Sequence, residues 1–330
     1  MSGLFSTRNL PIATAISILV LLWTFGALRH DYFASPATVS NLLADYAFVA
    51  IAAIGATFVI LSGGIDLSVG SVVAFTAALT AFLVGAGWHP LAAAAVCLAI
   101  GTSIGITVGM IIHAFELPPF MVTLAAMFAI RAGGFLILSQ SQGFSHDFLP
   151  WLSRAAIVEL PGGLSLQARS LLMLTLFVLA WLVAARMPVG RNVYAIGGSE
   201  KAARMMGVPI GRTKVAVYAI AGFCSALAGV VLVLYKRAGD PSEAIGLELA
   251  VIASVVIGGT LLSGGVGSIF GTFIGVMILG VIRMLIDFEG NLNSAWTSIA
   301  IGGLLLIFVC MQNLIAWVSL RAAARFRRAA

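Results

Sequence analysis

The sequence predicts an all-α polytopic membrane protein with about ten transmembrane helices. Three observations predict it. Hydrophobic residues fill 61% of the 330 positions and charged residues only 9%, against about 25% charged in a soluble domain. The polar residues are too few to cover a water-soluble globule of this size. The apolar runs are about 20 residues long, the length that crosses a bilayer as a helix, whereas barrel strands alternate over about 10. Lipid satisfies no backbone hydrogen bonds, so the spanning element is the helix. Residues 1–330 read as a single transmembrane domain.

The runs fall near 11–28, 43–61, 68–87, 91–112, 119–138, 170–186, 214–234, 247–263, 268–286 and 295–317. The opening "MSGLFSTRNLP" lacks a strongly basic start, and the run after it is long enough to span. No cleavable signal is expected. Two connections are long. Residues 139–169 carry "PGG" at 161–163 and are expected to hold a short interfacial element; residues 187–213 form the other.

Charge distribution orients the spans. With the N-terminus inside, eleven of the 18 cations fall on the cytoplasmic side. They are Arg8, the group Arg186, Arg191, Lys201, Arg204, Arg212 and Lys214, and the tail residues Arg321, Arg325, Arg327 and Arg328. Arg29, Arg154, Arg169, Lys236 and Arg237 fall outside, and Arg131 and Arg283 lie within spans. This bias places both termini, including a basic tail at 318–330, in the cytoplasm. The net charge of +6 is then a topology signal, and no nucleic-acid partner is implied. Cys97, Cys224 and Cys310 lie in separate apolar runs and read as packing residues. His30, His89, His113 and His146 are far apart, so no metal site is expected.

One motif occurs twice. "LSGGIDLSVGS" covers 61–71 and "LSGGVGSIFGT" covers 262–272. At an offset of 201, Ser62, Gly63, Gly64, Gly70 and Ser71 match Ser263, Gly264, Gly265, Gly271 and Thr272. Paired glycines allow positive φ or close approach. A helix can restart at once, capped by Asp66 or Ser62 in the first copy and Ser263 or Ser268 in the second. One reading is a tight turn between spans with Gly, Ser and Thr packing beyond it. The other is a pair of broken helices lining a path, as in transporters built from repeats; the two are compatible. Six intervening spans make the repeat parallel, and a re-entrant neighbour would make it inverted. "LSGG" also opens the signature of ABC-type ATPases. Those need a phosphate loop, G-x-x-x-x-G-K-[ST], and none of Lys201, Lys214 or Lys236 is preceded by one. This chain does not hydrolyse ATP.

Asp66, Arg131, Arg283 and Glu248 lie at or near membrane depth, where charges are functional candidates. Their bland reading is snorkelling or structural pairing, and for Asp66 helix capping. Few fixed charges suit a neutral, hydroxyl-rich solute. The path candidates are Ser62, Gly63, Gly64, Asp66, Ser68, Ser71, Arg131, Ser263, Gly264, Gly265, Ser268 and Thr272.

In the loop "VGRNVYAIGGSEKAARMMGVPIGRTK" at 189–214, Ser199 is a candidate N-cap, "EKAARMM" favours a short helix, and Gly207 with Pro209 ends it. Such a helix lies on the lipid surface or docks a soluble partner. The loop resembles the coupling segment of permease subunits in binding-protein-dependent ABC importers, whose pattern is E-A-A-x-x-x-G. Ala202, Ala203 and Gly207 keep the A-A-x-x-x-G part; Lys201 stands where Glu would, and Glu200 is displaced by one. "ILSGGIDLSVGSVVAFT" (60–76) and "ELAVIASVVIGGTLLSGGVGSIFGTFIG" (248–275) are similar to the ribose-type branch, so the likeness spans about 40–312. Within it, "TFVILSGGIDLSVGS", "VYAIGG" and "LAVIASVVIGGTLLSGGVG" are similar to permease subunits of the galactofuranose importer.

The resemblance implies an ABC importer permease fold with an internal repeat, in a bacterial inner membrane. It implies a separate ABC ATPase subunit holding ATP and Mg, a second permease (in a homodimer or heterodimer) and a periplasmic sugar-binding protein. No cofactor is implied in this chain. Ser199, Glu200, Lys201, Ala202, Ala203, Arg204 and Gly207 would couple to the ATPase. Two other classes stay open on the residues. An ion-driven secondary transporter would need an ion or proton site, and no carboxylate cluster supplies one. An intramembrane enzyme would need H-E-x-x-H, G-x-S-G or paired aspartates, and none is present; "GFSH" at 143–146 fails the serine motif.

Overall fold

The computed structural model describes residues 10–155, 157–290 and 295–310. The cations Arg8, Arg321, Arg325, Arg327 and Arg328, and the tail at 318–330, lie outside them. The described residues are mainly helical, with α1 Leu10–Arg29, α2 Pro36–Asp45, α3 Ala47–Leu61, α4 Val69–Gly85, α5 Pro90–Ala114 and α6 Pro119–Ile137 in the first half. Between α6 and α8 lie β1 (Gln142–Gly143), α7 (Phe148–Ala155) and the hairpin of β2 (Val158–Leu160) with β3 (Leu164–Leu166). The second half holds α8 Ala168–Arg186, α9 Pro188–Gly198, α10 Glu200–Met205, α11 Ile210–Lys236, β4 Ala238–Gly239, α12 Leu247–Ile257 and α13 Ile269–Glu289. A last apolar helix, α14, covers Ala295–Cys310. The strands pair only as β1 with β4 and β2 with β3.

Each of the ten apolar runs holds helix within its described residues, but they are not ten equal spans. Among the described residues six helices are long and apolar enough to cross a membrane, and α2 with α3 make a seventh if the 51° bend between them lies within one span. α4, α12 and the described part of α14 are shorter. The run expected at 247–263 stops at Ile257 because Gly258 and Gly259 end it. Gly259 has φ +93°, and the backbone of Gly258 lies so close to Gly271 that a Cβ would strike the Gly271 carbonyl. α12 therefore rises only about 16 Å, about half of a bilayer's apolar core.

Two helices form the centre. Every residue of α3 except Phe48 is buried, and α11 packs along α5, α3 and α4. Small residues set the α5–α11 approach. Gly101, Gly105 and Gly109 recur every fourth residue on α5, and a Cβ on any of them would meet α11 backbone or its first side-chain atoms. In lipid this close packing is the main attraction between helices. At one end Phe33 is fully buried between Trp23 and Phe288, and Arg29 bonds Glu289, tying α1 to the end of α13.

Candidate functional site

The two Ser-Gly-Gly breaks meet. α3 ends as the Ser62 hydroxyl bonds the Val59 carbonyl at 2.7 Å, and Gly63 turns the chain with φ +81°. The Gly265 N–H donates to the Leu61 carbonyl at 2.9 Å, a bond across 204 positions of sequence. A Cβ on Gly264 would stand 2.7 Å from the Gly63 nitrogen. With φ +85° and +75° at Gly264 and Gly265, only glycine fits both conformation and space.

A third glycine pair completes the junction. A Cβ on Gly197, near the end of α9, would strike the Leu61 carbonyl and the Gly265 nitrogen, and one on Gly265 would lie 2.7 Å from the Gly198 nitrogen. The Tyr194 hydroxyl adds a 3.0 Å bond to the Gly267 carbonyl. The next residue, Ser199, caps α10 by accepting the Ala202 N–H at 3.3 Å. Thus the short helix begins two residues beyond the point where both breaks and α9 touch. Gly207 follows α10 with φ +78° and nothing within 4 Å of a Cβ, so its requirement is conformational alone.

α10 is held by charge. Glu200 accepts from Lys214 of α11 at 2.8 Å and from Arg204 at 3.3 Å. The Lys214 hydrogen bond, helped by Arg204, holds the Glu200 carboxyl below its ordinary value of 4.5. A depressed pKa contributes stability that is complete above the ordinary value and is lost as pH falls through the lower, folded one. With 40% of the Glu200 side chain exposed, the contribution is small. Amide exchange across Glu200–Met205 is expected to quicken between about pH 5 and pH 3 relative to the intrinsic rate. Glu200→Gln should show the fast behaviour throughout; equal protection of both proteins at the higher pH would exclude this anchoring.

The hydroxyls of the two breaks are used inside the fold. Asp66, buried, accepts from the Ser68 amide at 2.8 Å and the Ser68 hydroxyl at 2.6 Å, a turn that starts α4. Ser71 donates to the Ser68 carbonyl at 2.7 Å. Ser268 caps α13 by accepting the Gly271 N–H at 2.9 Å. Thr272 meets Thr57 of α3 at 2.8 Å, hydroxyl to hydroxyl, a second link between the copies. Ser263 is exposed.

Arg131 lies elsewhere, on α6, and its partner is Glu248 in the first turn of α12 at 4.0 Å. Gly70 makes room for that carboxylate: a Cβ there would strike Glu248. Glu248 thus faces the first turn of α4 as well as its own helix start, and both helix N-termini favour an anion.

Local patterning gave no sign of Gly197, Gly198 or Tyr218. The Tyr218 hydroxyl is buried against Gly64 with no hydrogen-bond partner among the described residues. Leaving a buried hydroxyl unpaired costs about 1–3 kcal/mol. Tyr218→Phe is therefore expected to leave the melting temperature of the purified protein unchanged or raise it by a few degrees; a fall of several degrees would show a bond made in solution.

Known proteins resemble this chain over nearly its whole length. The family model described as "Branched-chain amino acid transport system / permease component" matches residues 38–310. The inner membrane ABC transporter permease protein YjfF of Escherichia coli is 44% identical over 307 residues, 93% of this chain and 92% of that one. The ribose import permease protein RbsC of Escherichia coli is 34% identical over 306 residues, 90% and 92%. The fructose import permease protein FruG of Bifidobacterium longum is 32% identical over 311 residues, 93% and 91%. No solved structure matches. These matches set aside the ion-driven carrier and the intramembrane enzyme. With its helix breaks joined to a short capped helix, the chain belongs to the branched-chain amino acid transport system permease family, as a multi-pass inner-membrane ABC transporter component that is not itself catalytic.

Proposed function

We propose that this chain is the translocating permease of an ATP-driven sugar importer, with α10 as the helix that engages the ATPase. The observation that carries the reading is continuity: α10 starts two residues beyond Gly198, where α9 rests on both helix breaks. A push on α10 is then delivered to the two breaks together. The cation bias of the sequence supports a cytoplasmic position for α10 and for both termini. The working assembly pairs two permeases, identical or sister chains, with an ATPase and a periplasmic sugar-binding protein. A pentose or hexose is supported by the similarity to ribose and fructose import permeases. The finer reading, galactofuranose, is supported by the motif text around Ser62, Tyr194 and Ser263.

Mild-detergent purification of the tagged chain from its native host tests the assembly. Recovery of an ATPase bearing a phosphate loop and an LSGGQ signature, together with a second permease or a dimer of this one, is the expected result. Repeated isolation of the chain alone, from a preparation that retains other known complexes, would overturn it. Competition against labelled sugar uptake by galactofuranose, ribose and fructose then decides the substrate.

A further inference from the structure

The helices that meet at the glycine junction open, at their other ends, around a cavity of about 690 Å³. α11 shows the separation most directly. Lys214 near its start holds α10, whereas Tyr235 and Lys236 at its last turn line the cavity. Twenty-seven residues place those ends about 40 Å apart. α3 likewise runs from Val49 at the cavity to Leu61 at the junction, and α13 from Ser268 at the junction to Arg283 and Asp287 at the cavity. The cavity extends inward to Leu247 and Ala250, the first turn of α12, a helix too short to cross the membrane.

Its walls have an unusual chemistry for a chain with so few charges. Arg169 donates to Asp45 at 3.2 Å, and Lys236 donates to Glu243 at 2.7 Å. Arg283 faces Asp287 at 3.8 Å. The three cations and three anions balance. The Arg169 guanidinium also lies 3.4 Å from the centre of the Tyr235 ring, and Tyr46 lies on the same wall. A charged solute would find as many like charges as opposite ones. A neutral polyol finds acceptors in the carboxylates, donors in the cations, and a ring face for its C–H surface. The volume falls within the roughly 300–1,000 Å³ of small-molecule sites.

We propose that this cavity is a receiving site for a neutral, polyhydroxylated solute, with Asp45–Arg169 and Lys236–Glu243 taking its hydroxyls and Tyr235 its apolar face. The proposal rests on the sugar-importer reading and adds where in the chain the solute is first held. None of the path residues expected from the sequence lines this cavity.

Thiol protection tests it without relying on transport. Ser298 is exposed on the cavity wall and belongs to none of the three ion pairs. Ser298→Cys, in a Cys310→Ser background that removes the exposed native thiol, is reacted with a methanethiosulfonate reagent in vesicles containing the complete transporter. The probes are D-ribose, D-fructose and D-galactose, with glucosamine and glucuronate as charged comparisons. Slowed labelling by at least one neutral sugar, and weaker protection by both charged ones, is the expected result. Adding Tyr235→Leu should raise the half-protecting concentration roughly tenfold, with recovery of the ATPase unchanged. No protection by a sugar that the same vesicles import overturns the cavity proposal and leaves the importer reading standing. Equal protection by all five solutes overturns it as well. Absence of any ATP-dependent sugar uptake would instead defeat the importer reading.

Discussion

Gly197→Ala is expected to cut uptake at least tenfold while the ATPase still co-purifies with the permease. The added methyl group would strike the Leu61 carbonyl and the Gly265 nitrogen, the two atoms joined by the bond that links the helix breaks. Both are backbone atoms and cannot rotate aside. The methyl group either separates the breaks or drives α9 off them. Forcing an extra carbon into a packed site costs about 1–3 kcal/mol, and loss of the Gly265–Leu61 bond adds about 0.5–1.5 kcal/mol. A state destabilised by that sum becomes at least tenfold rarer. If transport cycles through the observed junction, uptake should fall by about that factor or more. Gly198→Ala is the matched control: it sits one residue on, and a Cβ there meets nothing within 4 Å. It should transport almost normally. Measured ATP-dependent uptake in vesicles, alongside ATPase recovery, checks both. Equal uptake by the two variants would falsify the idea that α9 transmits motion to the breaks.

How much of this junction could be read in advance follows from where its parts lie. Ser62–Gly64 and Ser263–Gly265 were legible because glycine pairs inside apolar runs are local signals and the copy repeats them. Ser199, Gly207 and the helix between them were legible because capping is local too. Gly197 and Gly198 enter the sequence reading only within the "VYAIGG" likeness, since nothing nearby shows that Leu61 and Gly265 will rest on them. Contacts across 136 positions, from Leu61 to Gly197, are set by packing. The length of α12 was misjudged for a related reason. Hydropathy continues through Leu261 and Leu262, but close approach to Gly271 stops the helix at Ile257. Arg131 could be singled out as a charge in lipid, whereas its partner lay at the edge of another run, beside a glycine needed for space. The cavity was invisible for the opposite reason. Asp45, Arg169, Lys236, Glu243 and Asp287 each sit at a span end, where an isolated charge is unremarkable, and only the fold gathers them.

The Arg131–Glu248 pair carries the second large expected effect. At 4.0 Å it is an electrostatic pair without a short hydrogen bond. The Arg131 Nη1 and Glu248 Oε2 atoms also lack hydrogen-bond partners among the described residues. Such a pair contributes little over two apolar groups, but removing one member leaves the other charge buried. Arg131→Met and Glu248→Met are therefore each expected to destabilise the protein by about 3 kcal/mol, the low end for a buried pair because both side chains keep some exposure. Arg131→Met should be the milder, since the Glu248 carboxylate it leaves still faces the N-termini of α4 and α12, which favour an anion, whereas Glu248→Met leaves the Arg131 cation with neither partner nor favourable dipole. The double variant should recover most of the folded yield and melting temperature. If it does so without recovering uptake, the pair acts in transport and not only in assembly. Additive losses in the double variant would mean that the two charges do not interact, and that Gly70 makes room for some other demand on Glu248.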